Sequence, residues 1–235
     1  MKVYLYRSKN LASSFLFILP LLILYEVGIA LQGSSMKNVG DVIIKTPLTL
    51  FGKNGSLIFN SLVLIFLVIS IFYIEKEYQF SSLIFIPMLV ESIVYAIFLG
   101  FGMGLFVYKV LFPYTLANPF STTVWMSIIL SVGAGVYEEI VFRLLLISAL
   151  YFIFTNLLKV SKPMGATISV LAGGLIFTVI HYIGVSSDLY TPANFTFRLL
   201  SGVILSVIFL FRGLGIAVYT HAVYDVLAVL KPFTV

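Results

Sequence analysis

The sequence contains no cysteine among its 235 residues, and only 10% of its residues are charged. The absence of cysteine excludes a disulfide scaffold, a thiolate metal site and a cysteine nucleophile. The shortage of charge is more informative, because soluble domains are about one quarter charged and about half apolar. With 61% hydrophobic residues and a mean hydropathy of +1.14, the chain is not a water-soluble protein.

Long, continuous apolar runs take the place of the missing charge. A membrane helix needs about 20 apolar residues, and such a run satisfies its backbone groups in lipid only as a helix, whereas a barrel strand would alternate apolar with polar residues. We therefore predict an all-α, polytopic transmembrane bundle that forms a single integral membrane domain over residues 1–235. Seven or eight membrane helices are expected near residues 11–31, 56–74, 83–111, 122–158, 166–183, 197–211 and 214–230.

The run from Thr122 to Leu158 is too long for one crossing. Its 37 residues would measure about 55 Å as one helix, against a hydrocarbon core about 30 Å thick. We therefore expect a break between Ser131 and Gly135, where Gly133 and Gly135 weaken the helix.

The net charge of +5 comes from lysines and arginines at the ends of the apolar runs. This distribution suits orientation in the membrane and contact with lipid headgroups. We expect the lipid bilayer as a partner and no nucleic acid, and the oligomeric state stays open.

Ionisable residues inside the apolar runs are the candidates for function, because burying them in a membrane is costly. The candidates are Glu26, Glu91, Glu138, Glu139, Arg143, His181, His221 and Asp225. His181 and His221 are the only histidines. Since Glu26 and Glu91 have no obvious partner on the same helix face, we interpret them as packing or cavity-lining residues.

Spacing relates several candidates to one another. Glu139 and Arg143 are four residues apart, as are His221 and Asp225, so each pair projects from one face of a helix. The first pair is most simply an ion pair that holds the helix, and a buried histidine is as readily a strut between helices as a catalyst.

Counting residues along the predicted helices places the candidate residues at a similar depth in the membrane. Glu138 and His181 each lie about 20 residues from the polar turn at 159–162, roughly 30 Å along antiparallel helices. A tilted last helix would bring His221 and Asp225 beneath them.

These groups permit peptide hydrolysis by an activated water molecule. Glu138 with neutral His181 would hold and deprotonate the water, directly or through a metal, while His221 and Asp225 stabilise the oxyanion. The chain has no GxSxG elbow, no HExxH helix and no pair of intramembrane aspartates, so serine, zincin and aspartic mechanisms are less well supported.

Three segments resemble, in order, the EExxxR, FxxxH and HxxxN/D motifs of the CPBP family, which includes CAAX prenyl endopeptidases and bacterial Abi-type proteins. They are Glu138–Arg143, Phe177–His181 and His221–Asp225. The match covers roughly residues 122–230. The resemblance implies an intramembrane endopeptidase with peptide or membrane-protein substrates. The kingdom of origin stays open, and we expect a multi-pass protein of a bacterial cell membrane.

The resemblance also implies roles for the residues of these motifs. Glu138 and His181 would activate water, and Glu139 with Arg143 would support the site. At the third motif Asp225 stands where the family often has asparagine, and an ionised carboxylate cannot donate to an oxyanion. It must therefore be protonated, bind a metal or orient its neighbour.

Members of this family are described both as metalloproteases and as glutamate-dependent enzymes. Glu138, His181 and His221 would suffice as ligands for Zn²⁺ with an open position, and a metal-free glutamate mechanism is equally compatible with the sequence. Two other functions stay open: a non-catalytic scaffold or immunity protein of the same fold, and a proton-coupled transporter with a relay through Glu138, His181 and Asp225.

Overall fold

The computed structural model describes residues 2–32, 38–48, 82–112, 123–183 and 189–230, with single positions between 52 and 72. Every secondary-structure element in these ranges is helical. The helices are α1 (Lys2–Lys9), α2 (Leu11–Gln32), α3 (Val39–Lys45), α4 (Phe85–Leu111), α5 (Val124–Leu157), α6 (Lys162–Ile180), α7 (Pro192–Arg212) and α8 (Leu214–Leu230).

The prediction of an all-α membrane protein is confirmed. In the described ranges, five helices are long and apolar enough to cross a membrane, namely α2, α4, α5, α6 and α7. The 17-residue α8 is shorter but also apolar. The helix predicted at residues 56–74 lies largely outside the described residues, so the total of seven or eight stays a prediction.

The predicted break between Ser131 and Gly135 is wrong, because α5 is continuous over 34 residues. Its glycines admit neighbouring helices instead of ending the helix. A Cβ atom at Gly133 would lie 2.2 Å from a ring carbon of Tyr25, and one at Gly135 would lie 2.6 Å from the Cβ of Ala222. The run is therefore a single span, and its hydrogen bonding widens to the π-helical pattern at Glu139–Ile147 and again at Ile153–Leu157.

α8 lies at the centre of the bundle and packs against α5, α4, α2 and α7. Its residues contribute to both buried clusters: Ile216 packs with Met88 and Leu205, and Val218 packs with Ile129 and Val136. Lipid tails are as apolar as these side chains, so close van der Waals packing stabilises such contacts between membrane helices. This packing holds α8 in the position from which its polar residues face α5.

Glu91 of α4 has its charged partner on another helix. The guanidinium of Arg212, at the end of α7, donates to both carboxylate oxygens of Glu91 at 2.5 and 2.7 Å. Tyr4 and Tyr95 donate to the same carboxylate at 2.6 and 3.0 Å. This network ties α1, α4 and α7 together, so Glu91 is a structural residue.

Candidate active site

One carboxylate and two imidazoles from separate helices meet in the core. Oε2 of Glu138 lies 3.5 Å from Nε2 of His181 and 3.9 Å from Nε2 of His221. The three residues are 4%, 5% and 2% exposed, respectively. α5, α6 and α8 thus bring together the residues that the sequence motifs singled out.

The orientation of His181 is set by the end of α6. The helix stops there, and the ring nitrogen Nδ1 of His181 lies 2.7 Å from the carbonyl oxygen of Phe177, one turn earlier. A carbonyl oxygen only accepts, so Nδ1 carries the proton that is donated. In the neutral ring this leaves the lone pair of Nε2 directed at Glu138.

His221 is held by carboxylates on both sides of its ring. Nδ1 lies 2.6 Å from Oε1 of Glu139, and Nε2 lies 3.5 Å from Oδ2 of Asp225. The ring also stacks on Tyr224, with centroids 5.2 Å apart and an interplanar angle of 5°. Both nitrogens therefore face oxygen acceptors, and the imidazole has little freedom to rotate.

Arg143 compensates the charge of Glu139 in the same buried region. Its Nη1 lies 2.9 Å from Oε1 of Glu139, and its Nη2 donates to the carbonyl oxygen of Gly202 at 3.4 Å. The guanidinium also lies over the ring of Phe177, 4.4 Å from the centroid. With Arg143 1% exposed and Glu139 fully buried, removal of either charge would leave the other uncompensated.

Small residues allow the helices to approach closely enough to form this site. At the α5–α8 contact Gly135 meets Ala222, next to His221. At the α6–α7 contact a Cβ atom on Gly202 would lie 3.0 Å from the ring of Phe177 and 3.4 Å from the Cα of Gly174. Close backbone approach at small residues is the usual way in which membrane helices pack.

Arg198 is a further charged residue near the site that sequence reasoning missed. Its positive charge acts on the carboxylate of Glu138 and on the phenol of Tyr224. The predicted helix began at residue 197, which put Arg198 at its very end, whereas α7 begins at Pro192 and carries Arg198 well inside. Arg198 is therefore a charge inside a membrane helix, which makes it a candidate for function.

The predicted zinc site was tested against the arrangement of the side chains. In the described part of the chain, no group of three or more His, Cys, Asp or Glu residues is arranged to hold a metal ion. Both nitrogens of His221 already face carboxylates. Neither nitrogen of this ring therefore points only toward an ion that Glu138 and His181 could share. The residues as arranged do not fit Zn²⁺, and zinc binding by Glu138, His181 and His221 stays a prediction.

Comparison with known proteins gives one match. Residues 120–227 match the family model described as Rce1-like, type II CAAX prenyl endopeptidase. This range contains all three motifs, so the predicted resemblance to the CPBP and CAAX protease family is confirmed for this part of the chain. No curated protein and no solved structure matches the sequence.

Proposed function

Because residues 120–227 belong to the Rce1-like CAAX protease family, we propose that the protein is an intramembrane endopeptidase in which Glu138 and His181 activate water. The observation that carries this proposal is the approach of Glu138 Oε2 to His181 Nε2 at 3.5 Å within the buried core. A water molecule that bridges these atoms would lie within hydrogen-bond reach of both.

The proposed reaction begins with proton transfer from the water to Glu138. The resulting hydroxide attacks the carbonyl carbon of the scissile peptide bond, and the carbonyl oxygen becomes an oxyanion. His221 in its protonated form keeps its Nδ1–H on Glu139 and donates its Nε2–H to this oxyanion, which replaces the 3.5 Å contact of Nε2 with Asp225. Collapse of the tetrahedral intermediate breaks the C–N bond, and Glu138 returns its proton to the leaving amine.

Glu139 and Arg143 act on this reaction through His221. A carboxylate that binds one ring nitrogen fixes both the tautomer and the orientation of an imidazole. Arg143 balances the charge of Glu139 at 2.9 Å and supports the contact with His221. Asp225, 3.5 Å from the other nitrogen, completes the restraint as an acceptor, which fits a carboxylate better than donation to the oxyanion.

The proposed mechanism uses no metal ion. The protein would hydrolyse peptide bonds of membrane-associated substrates. Burial of Glu138, His181 and His221 within membrane helices favours a substrate that enters from the bilayer. The matched family is named for prenylated CAAX proteins, and a lipid-modified or membrane-inserted peptide is the corresponding substrate class here. Residence in a bacterial cell membrane stays a prediction.

Cleavage of a membrane-peptide library by the purified protein in lipid nanodiscs tests the proposal. We expect hydrolysis by the wild type and a loss of about 100-fold or more in Glu138→Gln and His181→Ala, since each removes a group that activates the water. Ser148→Ala, at an exposed position on the same helix, is the matched control and should cleave normally. Binding without cleavage by the wild type would instead favour the scaffold or immunity function, and equal cleavage by all variants would refute the proposed site.

A further inference from the structure

A second, partly buried cluster of charged side chains lies beside the candidate active site and takes no part in the proposed reaction. Nζ of Lys45, in α3, lies 2.7 Å from Oε1 of Glu26 in α2 and 2.9 Å from Oδ1 of Asp41. The side chains of Asp41, Lys45 and Glu26 are 1%, 14% and 30% exposed, respectively. Charges buried in this way in a membrane protein are costly, which makes them candidates for a role in function. Glu26 thus has a partner, although not on its own helix.

Two tyrosines join this cluster to α5. Tyr25 donates to Oδ2 of Asp41 at 2.8 Å, and Tyr137 donates to Oε1 of Glu26. Both phenol side chains are fully buried, and Nζ of Lys45 lies over their rings, 5.6 and 5.0 Å from the centroids. The cluster therefore links α2, α3 and α5 through Lys45.

The contact between α3 and α5 lies at the backbone of Glu138. A Cβ atom on Gly40 would lie 2.5 Å from the amide nitrogen of Glu138 and 2.6 Å from the carbonyl carbon of Tyr137. No side chain fits between the two helices at this point. The position of α3 thus directly constrains the turn of α5 that carries Glu138.

The cluster acts through this backbone and does not touch the reacting atoms. Side chains of consecutive helical residues diverge by about 100°, so Tyr137 faces α2 and α3 while Glu138 faces His181 and His221. α3 has only seven residues, too few to be stable alone. Its place on α5 depends on contacts with the rest of the protein. Lys45 supplies two of them, an ion pair with Glu26 of α2 and a position over the ring of Tyr137 of α5, whereas its pair with Asp41 lies within α3.

We propose that Lys45 is a positioning residue that joins Glu26 to Asp41, holds α3 against α5 and thereby fixes Glu138 opposite His181. This inference rests on the proposed peptidase function. Without the ammonium group, two carboxylates would face each other across the α2–α3 contact, and α3 would move away. Displacement of a catalytic group by about 1 Å lowers the rate by up to about 100-fold.

Steady-state kinetics of Lys45→Met and Lys45→Arg in nanodiscs test the proposal. We expect kcat to fall about 10- to 100-fold in Lys45→Met with little change in KM, because Glu138 moves while the cluster makes no substrate contact. Lys45→Arg keeps the charge between both carboxylates and should restore most of kcat. Lys162→Met, at an exposed position at the start of α6, is the matched control and should match the wild type. If Lys45→Met loses only folded protein, with normal kcat for the folded fraction, Lys45 is merely structural and the proposal is wrong.

A distance measurement tests the same proposal without relying on activity. The chain has no cysteine, so spin labels can be attached at Val42→Cys in α3 and Val124→Cys in α5, both at exposed positions. We expect one narrow distance distribution in the Lys45 background and a broader, longer one with Lys45→Met. An unchanged distribution would overturn the positioning role. If the wild type cleaves nothing, the proposed function fails, and this measurement alone decides whether Lys45 holds α3 in place.

Discussion

Oε1 of Glu139 lies 2.6 Å from Nδ1 of His221 and 2.9 Å from Nη1 of Arg143. One carboxylate oxygen thus connects a histidine of α8 to an arginine of its own helix. The imidazole depends on this oxygen for its orientation, and the arginine depends on it for charge compensation. Substitutions can separate the two effects. Loss of the imidazole's orientation lowers the rate of hydrolysis, whereas loss of charge compensation lowers the stability of the fold.

The variant Glu139→Gln should slow hydrolysis with little effect on substrate binding. A glutamine keeps the shape of the side chain but not the negative charge that orients the N–H of His221. Loss of such an orienting partner typically costs about 10- to 100-fold, and we expect this decrease in kcat, measured by steady-state cleavage of a peptide found in the library. A wild-type kcat in Glu139→Gln would show that His221 needs no carboxylate partner.

The variant Arg143→Met should destabilise the fold, because Glu139 would stay buried without its cation. Breaking a buried ion pair costs about 3–5 kcal/mol, whereas replacing both charges is often nearly neutral. We therefore expect a clear decrease in Tm for Arg143→Met and recovery of most of it in the double variant Glu139→Gln/Arg143→Met. Thermal unfolding in detergent measures both. A double variant as unstable as the single one would show that Arg143 acts through Phe177 or Gly202 instead.

Sequence spacing was sufficient for the contacts that lie within one helix. Four-residue spacing predicts that Glu139 meets Arg143 and that His221 meets Asp225, because an α-helix has 3.6 residues per turn, and both contacts are present. The contact between Glu139 and His221 joins two helices, and it depends on their close approach at Gly135. Spacing along the chain carries no information about that approach.

The same limit explains the unpredicted partner of Glu26. Lys45 lies in a polar stretch that hydropathy places between two spans, and a seven-residue helix such as α3 is too short to give a periodic signal of its own.

Glycine in a long apolar run is likewise ambiguous. Gly133 and Gly135 are compatible with a break or with close helix packing, and only the positions of Tyr25 and Ala222 decide between them.

Asp225→Asn should retain activity, whereas Asp225→Ala should lose it. Both aspartate and asparagine offer an oxygen to Nε2 of His221, 3.5 Å away in the wild type, and asparagine adds an N–H that can donate to the oxyanion. We expect Asp225→Asn to reach at least the wild-type kcat and Asp225→Ala to fall by about 10- to 100-fold, as for loss of an orienting partner. A strong loss in Asp225→Asn would mean that the negative charge itself is required.

Gly135→Ala should disturb the site through packing alone. The added Cβ would lie 2.6 Å from the Cβ of Ala222 and 2.7 Å from its backbone nitrogen, so α8 must move away from α5 and carry His221 with it. Overpacking of this kind costs about 1–3 kcal/mol, and we expect a lower Tm together with a lower kcat. Gly102→Ala is the matched control, since its Cβ would lie 3.4 Å from Phe98, and it should change neither. A normal Tm and kcat in Gly135→Ala would show that α5 and α8 can move apart at this contact without disturbing the site.

Chelation should leave hydrolysis unchanged. The described residues form no group arranged for a metal ion, and Nε2 of His221 faces Asp225 as well as Glu138. We expect the wild type to keep its kcat after dialysis against EDTA and 1,10-phenanthroline, with no stoichiometric metal by elemental analysis. Loss of activity that added Zn²⁺ restores would instead establish Glu138, His181 and His221 as ligands. The site would then have to rearrange on binding the ion, because a ring nitrogen of His221 must exchange its carboxylate for the metal.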